Sequence, residues 1–296
     1  MSVPEQYFRA GQIAANVRND IERRVKIGDS LLRIANTVED LIRSKGGEPA
    51  FPCNVCLNEV AAHFTPFFDD QQVVSEGDLL KIDVGVHVDG FIADTATSVS
   101  FNPKYDDLVE ATRTALREAV KSLRRDIKAG EIGEVISSVA RRWGFKPIAN
   151  LSGHMLDRFS VHAGISIPNV WVSSTQRLKS GTAYAIEPFF TTQDGAGHVI
   201  EGQSRTIFSF LGRKRTGDRE IDGMVEIIWS RYRTLPFSAR WLVDSFERNR
   251  VREILERLVK LKILRTYPIL VEAKGGYVAQ AEHTVALTEN GFRMLT

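Results

Sequence analysis

Asp83 and Asp94 sit inside KIDVGVHVDGFIADTATSVSF, a run over 81–101 whose Ile, Val and Phe residues, arranged around Val88-Asp89-Gly90, have the composition of a β-hairpin. A two-residue loop at Val88-Asp89 or at Asp89-Gly90 makes the two acids directly opposite or diagonal neighbours on one face, whereas a three-residue loop sends them to different faces, each solvated. Two carboxylates aimed at one spot repel unless a cation lies between them or one keeps its proton. Three more polar residues interrupt apolar, strand-like sequence. His154 stands in NLSGHML, just after a glycine that lets backbone approach closely, Glu187 ends GTAYAIEPFF, and Glu282 breaks GGYVAQAEHTVAL. Singly, each has an ordinary explanation: a buried histidine bonded to backbone, or a strand glutamate facing solvent. Together, four carboxylates and one imidazole form a mostly hard-oxygen donor set that suits a pair of divalent ions such as Mn²⁺, Fe²⁺, Co²⁺ or Zn²⁺.

The elements that must bring these residues together occur twice. AGQIAANVRNDIERRVKIG has helical period and is followed by a second helical segment, then Pro49 and an apolar run towards His63. About a hundred residues later ATRTALREAVKSLRRDIKAG is followed by EIGEVISSVARRWG, then Pro147 and a run towards His154 and His162. Order and spacing favour a duplicated α/β unit, two halves whose junction forms a cleft. Residues 195–271 differ from both halves: 15 basic residues against 9 acidic ones give a net +6, which leaves −4 for the rest of a chain whose total is +2. Within this part Val251, Ile254, Leu255, Leu258 and Leu261 recur at helical spacing. The expected organisation is a catalytic body over 1–194 and 272–296, with a helical insert at 195–271.

At 296 residues the chain can bury a sizeable core, and its composition is that of an ordinary globular protein. The start shows no basic segment followed by an apolar run, and the uncharged stretch 159–176 is broken by Pro168, so neither a signal peptide nor a membrane span is expected. The expected compartment is the cytoplasm. Cys53 and Cys56 form a lone CNVC, which lacks the second pair a zinc site would want, and two unpaired thiols are expected.

The hairpin acids followed in order by SGH, AIEPF and AQAEHT resemble the ligand set of the methionine aminopeptidases, and the likeness spans nearly the whole chain. FPCNVCLNEVAAHFTP resembles the segment bearing that family's substrate-contacting histidine, here His63, and FSVHAGISIPNV the one bearing its second, here His162. The interval between Glu187 and Glu282 resembles the type II branch in its short archaeal form, which implies an α/β "pita-bread" fold of metallopeptidase family M24 with a winged-helix-like insertion. The resemblance implies two metal ions, with Asp83 on one, His154 and Glu187 on the other, and Asp94 and Glu282 bridging. A water shared by the ions would be the nucleophile, Glu187 the proton shuttle, and His63 and His162 the groups that hold the scissile amide and its oxyanion. Four carboxylates against two dications and a hydroxide leave one net negative charge, suited to a free α-amino group.

The same likeness places the methionine pocket at Phe51, Val161, His162, Pro236 and Tyr267, apolar walls for a thioether. Pro236 stands where relatives carry a small residue, and EGQSRTIFSF departs from the family pattern after Glu187. The implied substrates are nascent amino termini with a small second residue, and the implied state is a monomer. The basic insert is a candidate contact for ribosomal RNA. The rival readings are a proline-directed peptidase of the same fold, aminopeptidase P or prolidase, and a non-catalytic binding protein on that fold.

Overall fold

The computed structural model describes residues 3–212 and 214–296. Two helix pairs organise the body: α1 (Glu5–Arg24) with α2 (Leu31–Ser44), and α3 (Asp106–Ser122) with α4 (Ala129–Trp143). Ser30 starts α2 by accepting from the Arg33 N–H, and Gly144 ends α4 in the left-handed conformation, at φ 75°. Each pair leads into a two-residue strand that carries a proline, Glu48–Pro49 in one case and Lys146–Pro147 in the other. The duplication expected from sequence is therefore present.

Each half has its own apolar core beneath its helices. In the first, Val17, Ile21, Leu31, Ile34 and Val38 pack on Leu80, Ile82, Val84 and Val86 of the hairpin strand Leu79–Val88. Strand residues alternate faces, so turning these four towards α1 and α2 leaves Asp83 and Gly85 on the other side. In the second half Leu108, Leu116, Ile132 and Ile136 pack on Tyr184, Ile186, Val285 and Leu287. Those strands belong to a sheet ordered Gly291–Met294, His283–Thr288, Ala183–Ile186, Ser152–Leu156, Ser166–Pro168. The halves join where Ala96 bridges Glu282 and where the Asp94 N–H donates to Thr284 Oγ1, whose hydroxyl returns a bond to the Asp94 carbonyl, both at 2.7 Å.

After Val199–Glu201, which pairs with Leu270–Glu272 and through it with Val60–Ala62, the chain leaves the body. Ile207–Phe210, Phe237–Ser238 and Leu264–Tyr267 form a small sheet beside α5 (Arg219–Tyr232) and α6 (Arg248–Lys260). Val251, Ile254, Leu255 and Leu258 face a separate apolar cluster with Phe208, Met224 and Ile228. Leu261 shares their spacing, but it falls at the helix C-cap and is 43 % exposed, because the helical period stops one residue earlier. Among the described residues no helix is long and apolar enough to cross a membrane. Cys53 and Cys56 are free and buried. Burial pushes the first thiol well up and the second to about 12, so neither is a ready nucleophile or ligand.

Candidate active site

The hairpin turns at Asp89-Gly90, both at positive φ (53° and 88°), the backbone of a type I′ turn. That turn fixes the register: Asp94 lies opposite Gly85, two residues from Asp83, so the acids are diagonal neighbours on the cavity face. Gly85 is required there because a Cβ would fall 2.2 Å from the Phe51 ring. His154 pairs with Ala185, and Ile186 with His283, which sets His154, Glu187 and Glu282 side by side at the edge of the second sheet. Gly153 permits that approach, since a Cβ at this position would lie 2.3 Å from the Ala185 carbonyl.

The five residues converge. His154 Nε2 is 3.4 Å from Glu187 Oε1 and 3.8 Å from Asp94 Oδ2, and Asp94, His154 and Glu282 each offer an atom within 4.8 Å of the others. Gln280 Nε2 spans the remaining gap, donating to Asp83 Oδ2 at 3.4 Å and to Glu282 Oε2 at 3.3 Å. Behind Glu282, the Thr95 hydroxyl donates to its carbonyl, and Arg18 Nη1 donates to Thr95 Oγ1 and to His283 Nδ1, which must therefore be an acceptor.

Electrostatically the cluster is unbalanced on its own. Burial raises Asp83 to about 6, and burial together with mutual repulsion raises Asp94, Glu187 and Glu282 well above the usual carboxylate range. Burial also lowers His154 to about 3, so its imidazole is neutral and able to ligate. Asp83 Oδ1, Asp94 Oδ1 and Glu282 Oε1 are buried and have no hydrogen-bond partner among the described residues. Buried carboxylate oxygens without donors are costly unless a cation meets them or a proton is kept. Mostly hard oxygen with one imidazole fits divalent first-row ions.

Around the cluster lies a cavity of about 200 Å³ lined by Phe51, His63, Val161, His162, Pro236 and Tyr267 together with all four carboxylates and the His154 imidazole. Six of the eight buried side-chain atoms without a partner among the described residues belong to residues that line it: Asn54, His63, Asp83, Asp94, His154 and Glu282. A larger groove of about 890 Å³ between α2 and the insert has none of these, so volume alone misplaces the chemistry. His63 is held at φ 64°, edge-on to Tyr267 with ring centroids 5.8 Å apart, and burial lowers it to about 4. His162 is exposed at the mouth, its ring 4.4 Å from that of His154; partial desolvation and then Arg265 lower it. Phe51 and Val161 share one apolar cluster with Leu235.

Sequence reading passed over Gln280 and Asn54, which pairs with Asp83 across the sheet and lines the cavity. The signal for Gln280 was available: it stands two residues before Glu282 in AQAEHT, hence on the same strand face.

A pair of α/β halves that pool four carboxylates and a histidine at their junction makes a candidate metal centre of the metallohydrolase kind. The sequence model of metallopeptidase family M24 matches residues 5–289, and the chain belongs to that family. It is 44 % identical to a methionine aminopeptidase of Thermococcus onnurineus over 297 residues, covering all of both chains. It is 41 % identical to one of Methanocaldococcus jannaschii, over 99 % of this chain and 98 % of that one. Among solved structures it resembles methionine aminopeptidase of Thermotoga maritima (TM-score 0.71, 21 % identity, 100 % and 98 % of the two chains). It also resembles prolidase of Pyrococcus furiosus (TM-score 0.63, 17 % identity), but spans only 63 % of that longer chain.

Proposed function

We propose that the chain is a metal-dependent methionyl aminopeptidase acting on amino termini with a small second residue. The observation that carries this is the convergence of unpartnered buried oxygens from both halves on one small, apolar-walled cavity. Asp83, Asp94, His154, Glu187 and Glu282 would hold two divalent ions, of the Co, Mn, Fe or Zn type. Such ions supply a polarised carbonyl and an acidified water near neutral pH. Glu187, at the edge of the cluster beside His154, accepts a proton and delivers it to the leaving amine. His63 and His162 hold the scissile amide, and Phe51, Val161, Pro236 and Tyr267 receive the first side chain.

The full-length match to methionine aminopeptidases, set against partial coverage of a prolidase, favours this reading over a proline-directed one. The five retained ligand residues speak against a purely binding role. Assaying Met-Ala-Ser, Met-Lys-Ser and Ala-Pro-Ser with and without added metal tests all three. Metal-dependent release of Met from the first alone is expected; rapid cleavage of Met-Lys-Ser or Ala-Pro-Ser, or full activity after chelation, overturns the proposal.

We read 195–271 as one inserted unit whose net +6 could meet ribosomal phosphates. Its arginines are partly engaged already: Arg250 with Glu220 and Glu253, Arg252 with Asp69, Arg257 with Asp218. Lys260 and Lys262 are therefore the better probes. Reversing both to Glu should abolish co-sedimentation with ribosomes at low salt, and retained co-sedimentation rejects this contact.

A further inference from the structure

Arg240 and Glu39 form an ion pair that nothing in the proposed chemistry uses. Arg240 lies in the 3-10 turn Ala239–Trp241 of the insert and Glu39 in α2 of the body, and their side chains are 5 % and 2 % exposed. The guanidinium meets the carboxylate through two bonds of 2.7 Å. Its remaining donors reach Asn36 Oδ1 (2.9 Å), Thr65 Oγ1 (2.8 Å) and the Pro66 carbonyl (3.0 Å). Glu39 accepts two further bonds, from the Cys53 N–H at 3.1 Å and from Trp241 Nε1 at 2.7 Å. Five donors are used on one side and four acceptor contacts on the other, a fully satisfied fork.

A buried ion pair is a poor way to gain stability, because well-packed apolar residues of similar volume do as well or better; fixing a register is its best-attested use. The segments tied here are informative. Cys53 follows Phe51 by two residues, Thr65 and Pro66 follow His63, and Pro236 precedes Arg240 by one short stretch that also carries Leu235 into the cluster of Phe51 and Val161. Phe51, His63 and Pro236 line the 200 Å³ cavity from three separate stretches of chain, and each lies within four residues of an atom bonded to this one pair. We propose that the Glu39–Arg240 pair, with Trp241, is a positioning device that sets the spacing of those three stretches around the cavity and thereby selects methionine over other apolar first residues. The inference rests on the reading of the cavity as the receptor for the first side chain. Apolar pockets separate near-isosteric side chains by only ~10–200-fold, and that margin depends on walls that do not give.

The test uses the full-length, metal-loaded protein with Met-Ala-Ser, norleucine-Ala-Ser and Leu-Ala-Ser. Trp241→Phe removes one donor to Glu39 and keeps the ring, Arg240→Lys keeps the charge and loses the fork, and Glu39→Gln keeps the shape. In each folded variant the KM for Met-Ala-Ser should rise ~5-fold or more with kcat within ~2-fold, and the Met-over-Leu preference should fall by ~10-fold, with metal content unchanged. If Glu39→Gln does not fold, the mild Trp241→Phe variant carries the test. Variants that lose thermal stability yet keep the wild-type KM and Met-over-Leu ratio make the pair merely structural and overturn the proposal alone. A wild type inert towards all three peptides overturns the peptidase reading, and this inference with it.

Discussion

Glu187 is the residue at which charge, burial and position make the sharpest demand. Its carboxyl is buried beside His154 Nε2, and burial raises its proton affinity well above that of a free glutamate. Glu187→Gln keeps the shape and removes the titrating oxygen, so turnover should fall by ~10² or more while circular dichroism stays native. An unimpaired variant would assign the proton transfer elsewhere. His63→Ala should instead leave metal content near normal and lower activity, which metal analysis alongside the peptide assay would check. Asp83 gives a pH signature. Its carboxyl is raised from the ordinary 3.8 to about 6 by burial, so in the metal-free fold it contributes stability that is full below about 4 and lost as pH rises through 6. Metal meets the ionised form, so the thermal shift on adding Mn²⁺ or Co²⁺ should grow from pH 5 to pH 7.5; a flat or falling shift would count against Asp83 as a ligand.

At the scale of elements, the hairpin is the part most exposed to error by one residue. Its turn and register place Asp83 and Asp94 together only because Gly85 leaves room for the Phe51 ring. Gly85→Ala should therefore push that ring into the cavity, lower stability by ~1–3 kcal/mol and raise the KM for methionyl peptides, as read by denaturant titration and initial rates. A variant with unchanged KM would show that Phe51 does not border the substrate. This candidate site was legible in sequence wherever a titratable residue broke an apolar period, as at Asp94, His154 and Glu282. Asn54 escaped because a neutral amide in a strand carries no charge to mark it, and Gln280 because only its place two residues before Glu282 marked it. Glu39 and Arg240 escaped for another reason: each reads as an ordinary charged position in a helix or a turn, and only folding shows that 201 positions of chain close between them.

For the whole molecule, the repeat was visible as two helix pairs with their prolines, whereas the seam between halves was not. Backbone bridges such as Ala96 to Glu282 leave no trace in residue type. The seam has a kinetic side. Asp83 and Asp94 belong to the first half and Glu282 to the last strands, and the bonds that join Asp94 to Thr284 close 190 positions of chain. At a synthesis rate of roughly 5–20 residues per second, a growing polypeptide carries the hairpin acids for about 10–40 s before Glu282 and Thr284 exist. Until then the candidate ligand set lacks one of its four carboxylates. If these residues hold metal as proposed, the complete set of ligands is available only to the finished chain, and the ion acquired then would follow which metals are free at that moment.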